Sequence, residues 1–313
     1  MSSNLKKRII KAIKDPKELL YYIMMTHSNL FKIVPDKAYI KLEYSVAMKK
    51  KLNLNAPKTF NEKIQWLKLY DRRPMYTKMV DKYEAKIYAG NIIGDEYIIP
   101  TLGVWNSFDE IDFKSLPNKF VLKCTHDSGG IVICKDKESF DYNKAKTKIN
   151  SSLRREYFYS HREWPYKNVK PRIIAEQYME DTTSKDLKDY KFFTFNGDPR
   201  LLFVASDRQK EDSETKFDFY DMNFNHLDIK NGHPNSDKGI ECPKTFDKMK
   251  ELARKLSQGI PQVRVDFYEV NGHVYFGELT FSHYAGIVPF SPEKWDDILG
   301  EWIELPKTKV IND

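Results

Sequence analysis

VRVDFYEVNGHVYFGELTF, residues Val263 to Phe281, reads as two strands folded around Asn271-Gly272. On the first strand Arg264, Asp266 and Tyr268 share one face, and Val263, Val265 and Phe267 take the other, toward a core. On the second, Glu278 and Thr280 share a face opposite Leu279 and Phe281. Register decides what this face can do. A two-residue turn at Asn271-Gly272 puts Asp266 and Glu278 on opposite faces; a three-residue loop, Asn271-Gly272-His273, sets them side by side. Neighbouring carboxylates repel unless a cation or a proton lies between them. Such a pair is either two solvated carboxylates on an amphipathic hairpin or a site for Mg2+, which binds one or two carboxylates together with substrate phosphates.

Upstream, FVLKCTHDSGGIV (Phe120 to Val132) has a strand carrying Lys123, a small polar and glycine loop, and a returning strand. Glycine amides can approach a phosphate closely, and Lys123 can set an ammonium against it. Between these segments Ile173 to Glu180 reads as an apolar strand emerging into a short linker, able to offer backbone groups to a base edge and a carboxylate to amino or ribose groups.

The remaining chain frames these pieces. Helices are expected over Leu5–Met25, Lys37–Leu52, Phe60–Tyr70, Tyr76–Tyr88, Lys244–Leu256 and Trp295–Glu304. Thr59 and Glu62 form a capping box for the third of these. Further strands are expected at Tyr97–Ile99, Lys119–Lys123, Ile131–Cys134, Ile173–Gln177, Tyr190–Thr194 and Pro199–Val204, the last two joined by Asn196-Gly197. Antiparallel pairs flanked by helices indicate an α+β layout. Of the 313 residues 41% are hydrophobic, enough for a core, so wholesale disorder is excluded. The apolar run Leu19–Met25 is far short of the roughly 20 residues that cross a bilayer, and it has no cleavage pattern after it. Three cysteines, Cys124, Cys134 and Cys242, match no disulfide framework or zinc spacing, which suits a reduced, cytoplasmic compartment. No dinucleotide-binding, P-loop or nucleophile-elbow motif occurs, and no repeat.

The net charge of +7 is unevenly spread. Lys6, Lys7, Arg8, Lys11, Lys14 and Lys17 crowd the first twenty residues against only Asp15 and Glu18, interleaved with Leu5, Ile9, Ile10 and Ile13 at helical spacing. A basic amphipathic helix of this type either docks on the body or contacts an anionic membrane surface or partner. The remainder carries too little charge to indicate nucleic-acid binding.

In order and spacing, FNEKIQWLKLYDRRP (Phe60 to Pro74), YTKMVDKYEAK (Tyr76 to Lys86), IGDEYIIPTLGVW, LPNKFVLKCTHDSGG, PRIIAEQYM, DYKFFTFNGDP, RVDFY and FGELTF resemble the TupA-like branch of the ATP-grasp superfamily, named for teichuronopeptide biosynthesis. The resemblance runs over about residues 55 to 300. It implies an ATP-grasp fold of two α+β subdomains with ATP between them: a helical region over 1–75, a small subdomain with the glycine loop over 76–172, and a large subdomain with metal-binding strands over 173–313. By similarity Lys82 and Lys123 contact the ATP phosphates, and Ser128, Gly129 and Gly130 close over them. Glu176, Gln177 and Met179 lie on the strand that meets adenine, and Lys191 joins the nucleotide site. Asp266 and Glu278 hold Mg2+, Arg264 stabilises the transferring phosphoryl group or the acyl phosphate, and Arg208 and His283 face the acceptor. Thr280 stands where many members have asparagine, a better metal ligand. The implied reaction is ATP- and Mg2+-dependent carboxylate–amine ligation through an acyl phosphate, joining an amine to a uronic acid or peptide carboxylate in surface-polymer synthesis. The alternatives are a sugar or alcohol kinase on the same scaffold, a glycosyltransferase, or a non-catalytic component of capsule assembly.

Overall fold

The computed structural model describes residues 16–182, 187–206 and 214–312. The first fifteen residues of the basic segment lie outside these ranges, and Pro16–Thr26 (α1), directly after them, is helical. Asp36–Ala47 (α2) and Phe60–Tyr70 (α3) come next. The capping box at α3 forms as expected: the Glu62 amide donates to Thr59 Oγ1 at 3.3 Å and the Thr59 amide to Glu62 Oε2 at 3.4 Å.

The helix expected over 76–88 is two helices, Pro74–Val80 (α4) and Glu84–Ile93 (α5). Asp81 leaves helical geometry at ψ 119°, and its carboxylate accepts the amides of Tyr83 and Glu84 at 2.8 and 3.2 Å. An aspartate capping the new helix competes with continuation of the old one. The strand expected at Tyr97–Ile99 is instead a 3-10 turn, Asp95–Tyr97, and the true first strand is Thr101–Trp105 (β1). Phe120–Cys124 (β2) and Ile131–Cys134 (β3) form the anticipated hairpin. Tyr142–Leu153 (α6) and the short Phe158–His161 (α7) precede Ile173–Gln177 (β4). The chain continues through Asp189–Phe195 (β5), Asp198–Ser206 (β6), Lys216–Tyr220 (β7), His226–Leu227 (β8), Phe246–Leu256 (α8), Gln262–Val270 (β9), His273–Thr280 (β10) and Lys294–Trp302 (α9).

The strands form two antiparallel sheets, a four-stranded one in the order β1-β4-β2-β3 and a six-stranded one in the order β10-β9-β5-β6-β7-β8. The expected division at 172/173 does not coincide with these sheets. β4 pairs with β1 and β2 in the small sheet, while α4 and α5, assigned by sequence to the small subdomain, pack Tyr76, Met79, Ala85 and Ala89 on the large one. The period-two alternation of the large sheet supplies a core on each face: Phe192, Val265 and Phe267 against α4, α5 and α8, and Phe193, Phe195 and Phe203 against α3 and α9. On the small sheet Phe120, Leu122, Ile173 and Ala175 pack under Ala145 and Ile149 of α6. Lys123 and Glu176 alternate onto the opposite face.

The β9–β10 register reaches the expected result by another route. Asn271 and Gly272 both have positive φ, 52° and 76°, and His273 pairs with Val270, so the turn has two residues rather than three. That register holds as far as Phe276 opposite Phe267; the pairing then slips by one residue at Gly277, and Glu278 comes to face Asp266. A bulge adds one residue to one strand and so reverses which face the rest presents. A Cβ on Gly277 would sit 3.1 Å from the Asp266 carbonyl oxygen and 3.2 Å from the Tyr268 ring, so the site suits glycine.

Candidate functional site

On the small sheet, Glu176 is buried between two lysines, Lys86 Nζ at 2.7 Å and Lys123 Nζ at 2.5 Å. Burial pushes its carboxyl up, but Lys123 and Lys86 outweigh burial and hold it at about 2. Glu176, expected at adenine, is thus paired with Lys86 and Lys123. Gln177 is the exposed end of β4, and Met179 is half-buried just beyond it. The break between α4 and α5 sets Lys82 against the glycine loop: its amide donates to the Thr125 carbonyl at 3.0 Å and its ammonium to the Asp127 carbonyl. The loop is satisfied from within. Asp127 accepts the amides of Gly129 and Gly130 at 3.3 and 3.1 Å, so these donors are engaged in this state. Gly130 packs where a Cβ would meet Ser152 Oγ at 2.2 Å.

On the large sheet, Arg264 grips Asp266 with two parallel hydrogen bonds, Nε to Oδ1 and Nη2 to Oδ2, both at 2.7 Å. Lys191 donates to the same Asp266 oxygen and lies 2.6 Å from Asp189. Arg264 Nη2 also reaches Glu278 Oε1 at 3.2 Å and Thr280 Oγ1 at 3.0 Å. The cation required between the two facing carboxylates is therefore a guanidinium. Burial raises the Asp266 carboxyl, and Arg264 and Lys191 more than reverse this, to about 2. His283, expected at the acceptor, is buried behind Arg264: Nδ1 accepts from Nη1 at 2.8 Å and Nε2 donates to Asn231 Oδ1 at 2.8 Å. A guanidinium only donates, which fixes the tautomer with the proton on Nε2. Burial and the adjacent Arg264 push this imidazole well below its usual pKa, so it is neutral. Arg208 lies outside the described residues.

The metal expectation is tested by this arrangement. An ion bridging Asp266 and Glu278 does not fit, because Arg264 Nη2 already bonds to both and Asp266 has both oxygens engaged. Among the described residues no group of three or more His, Cys, Asp or Glu side chains is arranged to hold a metal. Glu278, whose side chain is 46% exposed, fits one ion shared with nucleotide phosphates.

A cavity of about 380 Å3 gathers part of both clusters, with Lys82, Ser128, Arg264, Glu278 and Thr280 on its wall. Lys123, Glu176, Lys191 and Asp266 are set back from it, each tied to a wall residue or to its neighbours by charge. The sequence reading missed Lys86, Asp127 and Asp189, and it missed the segment holding Tyr157, His161, Glu163 and Tyr166, all four on the cavity wall. Lys86 stands four residues after Lys82, a helical spacing that could have flagged it; the 157–166 segment has no periodicity and offers only its density of aromatic and charged residues.

Residues 62–304 match the family described as TupA-like ATPgrasp. Among solved structures the chain is similar to the D-alanine–D-alanine ligase from Helicobacter pylori (15% identity, 80% of this chain and 62% of that one, TM-score 0.42). It is also similar to the ATP-grasp ligase PsnB complexed with minimal precursor (8% identity, 68% and 55%, TM-score 0.39). A third similar structure is the N5-carboxyaminoimidazole synthase from Aspergillus clavatus in complex with ADP and 5-aminoimidazole ribonucleotide (13% identity, 67% and 46%, TM-score 0.38). The matches span less than two thirds of each of these chains. No curated protein sequence matches the chain significantly.

Proposed function

The chain belongs to the TupA-like ATP-grasp family, and from that premise we propose that it is an ATP- and Mg2+-dependent carboxylate–amine ligase acting through an acyl phosphate. The observation that carries the reading is the cavity that draws Lys82 and Ser128 from beside the small sheet and Arg264, Glu278 and Thr280 from the large one. Phosphoryl transfer asks for positioning and charge neutralisation rather than a nucleophilic side chain.

Lys82 and Lys123 neutralise the ATP phosphates, with Lys123 leaving Glu176 or sharing it with a phosphate oxygen. Lys191 joins them as a further nucleotide contact. The glycine loop shields the site from water once its amides turn from Asp127 to phosphate. Arg264, held by Asp266 and by neutral His283, presents a fixed charge to the transferring group. Glu278 would hold Mg2+ with the phosphates, and the ion would supply further charge neutralisation there. A substrate carboxylate oxygen attacks the γ-phosphorus, the bond to ADP breaks, and an amine then displaces phosphate from the acyl phosphate.

The acceptors belong to the same proposal: an amino acid or other amine joined to a uronic acid or peptide carboxylate, in surface-polymer synthesis at the cytoplasmic face of a membrane. The test is a screen of amines against uronic-acid carboxylates with ADP and phosphate measured together. Equal release of both, dependent on both co-substrates, is expected. ADP release with a phosphorylated product and no free phosphate would establish the kinase instead, and absence of turnover with any pair would exclude a ligase.

A further inference from the structure

The cavity wall carries two chemically different sets of residues. One includes Lys82 and Arg264, suited to phosphate. The other is built from the 157–166 segment, and its principal group is Glu163. That residue is 94% buried, at 6% exposure, yet its carboxylate has no hydrogen-bond or ion-pair partner among the described residues. Its side chain lies on the cavity wall. Burial of a carboxylate without a partner is unfavourable unless a cation arrives to meet it.

The cations nearby make their hydrogen bonds elsewhere, Lys68 acting on Glu163 by charge alone. Lys68 Nζ donates to Gln65 Oε1 at 2.8 Å and to the Ala285 carbonyl at 3.1 Å. Arg264 is shared among Asp266, Glu278, Thr280 and His283. His161, beside Glu163 on the wall, is turned to Glu43, with Nδ1 2.6 Å from Oε1. Tyr157, Tyr166 and Tyr284 complete the walls, aromatic surfaces compatible with an ammonium group.

Resting on the ligase reading above, we propose that the cavity wall around Glu163 is the amine subsite, in which Glu163 receives the ammonium of the second substrate and takes its proton. The ammonium gives one proton to a Glu163 oxygen and becomes a neutral amine. The nitrogen lone pair then forms the C–N bond at the acyl carbon, the bond from that carbon to the phosphate oxygen breaks with its electron pair, and the second nitrogen proton leaves with phosphate. Burial raises the Glu163 carboxyl while Lys68 and His161 partly offset this, and Glu43 and Arg264 face it as well. A carboxylate of raised basicity is the better proton acceptor near neutral pH.

Two nucleophiles distinguish the subsite from the rest of the machinery. Hydroxylamine is largely uncharged at neutral pH and needs no base, so it traps the acyl phosphate directly as a hydroxamate. The experiment compares hydroxylamine with the most active amine of the screen, in wild type, Glu163→Gln and Glu163→Asp, with melting temperature alongside. In Glu163→Gln, amide formation should fall about a hundredfold or more, hydroxamate formation should be retained, alkaline pH should partly restore the amide, and the melting temperature should hold or rise. Glu163→Asp should show the same division at smaller size. Equal loss with both nucleophiles, or undiminished amide formation in Glu163→Gln, overturns the subsite. If the wild type itself makes no hydroxamate from any carboxylate, the ligase reading fails, and the proton-transfer role fails with it.

Discussion

Two buried carboxylates, one on each sheet, are each held between two cations, and they are held differently. Glu176 on the small sheet meets two lysines, one of which, Lys123, has a side chain 22% exposed. Asp266 on the large sheet meets a bidentate guanidinium that is itself fixed from behind by His283 and Asn231. Lysine is a point charge on a flexible stem, whereas arginine is a planar fork that loses little further freedom on forming a second bond. Under the proposed function the small-sheet cluster is therefore a grip to be released to a phosphate, and the large-sheet cluster a fixed platform. A site that must close on ATP and keep its reacting centre aligned needs one of each.

The largest effects should separate the two carboxylates of the platform. Asp266→Asn leaves Arg264 and Lys191 short of their buried counter-charge, and should cost about 3 kcal/mol of stability with turnover reduced over a hundredfold. Glu278→Gln should lose Mg2+-dependent turnover on a similar scale while its melting temperature stays near wild type, because its side chain is half exposed. Melting curves without metal, set beside turnover, check both. Equal destabilisation by the two substitutions would break the distinction between platform and metal ligand.

Acid should dissolve both clusters within one window. The Glu176 carboxyl is depressed to about 2 in the fold, so the stabilisation it contributes is fully present above the ordinary carboxylate range and is lost as pH falls through about 2. From about pH 5 to pH 2 this amounts to about 3 kcal/mol. Denaturant titrations across that range should show a shallower acid slope for Glu176→Gln than for wild type. Some slope should remain, since Asp266 titrates in the same range. An unchanged slope would mean that the Glu176 lysines do not hold it in solution.

Lys123→Ala tests the releasable grip and should be milder. The loss of one charge-assisted phosphate contact is worth about 1.5–3 kcal/mol, roughly a tenfold fall or more in ATP affinity or turnover. Unchanged ATP binding in a folded variant would remove Lys123 from the nucleotide site. The smallest effect on either cluster belongs to deletion of residues 1–15, which include none of the cluster residues. ATP turnover should be unchanged while binding to anionic liposomes is lost, with salt weakening the wild-type binding. Equal binding of both forms to anionic and neutral liposomes would end the membrane proposal.

Among the described residues no helix is long and apolar enough to cross a membrane, in line with the short apolar runs of the sequence. The local signals that read correctly were those decided within a few residues. Thr59 and Glu62 cap a helix because both partners lie in one turn, and Val263, Val265 and Phe267 reach a core because alternation is intrinsic to an extended chain. Family likeness added the candidate lysines and carboxylates, but not how they are engaged.

The sequence by itself determined the antiparallel hairpins, the lysine ahead of a glycine loop, and the common face of Arg264 and Asp266, since each arises from backbone period and turn chemistry. Only the tertiary structure decided the rest. The slip at Gly277 that brings Glu278 opposite Asp266, and the break at Asp81 that delivers Lys82 to the loop, depend on contacts made between elements. Arg264 takes the place between two carboxylates, and Glu163 is left without a hydrogen-bond partner among the described residues on a cavity wall, for the same reason. Charge pairing in a fold is settled by which side chains packing brings within about 4 Å in a poorly screened interior, a distance that sequence separation does not encode.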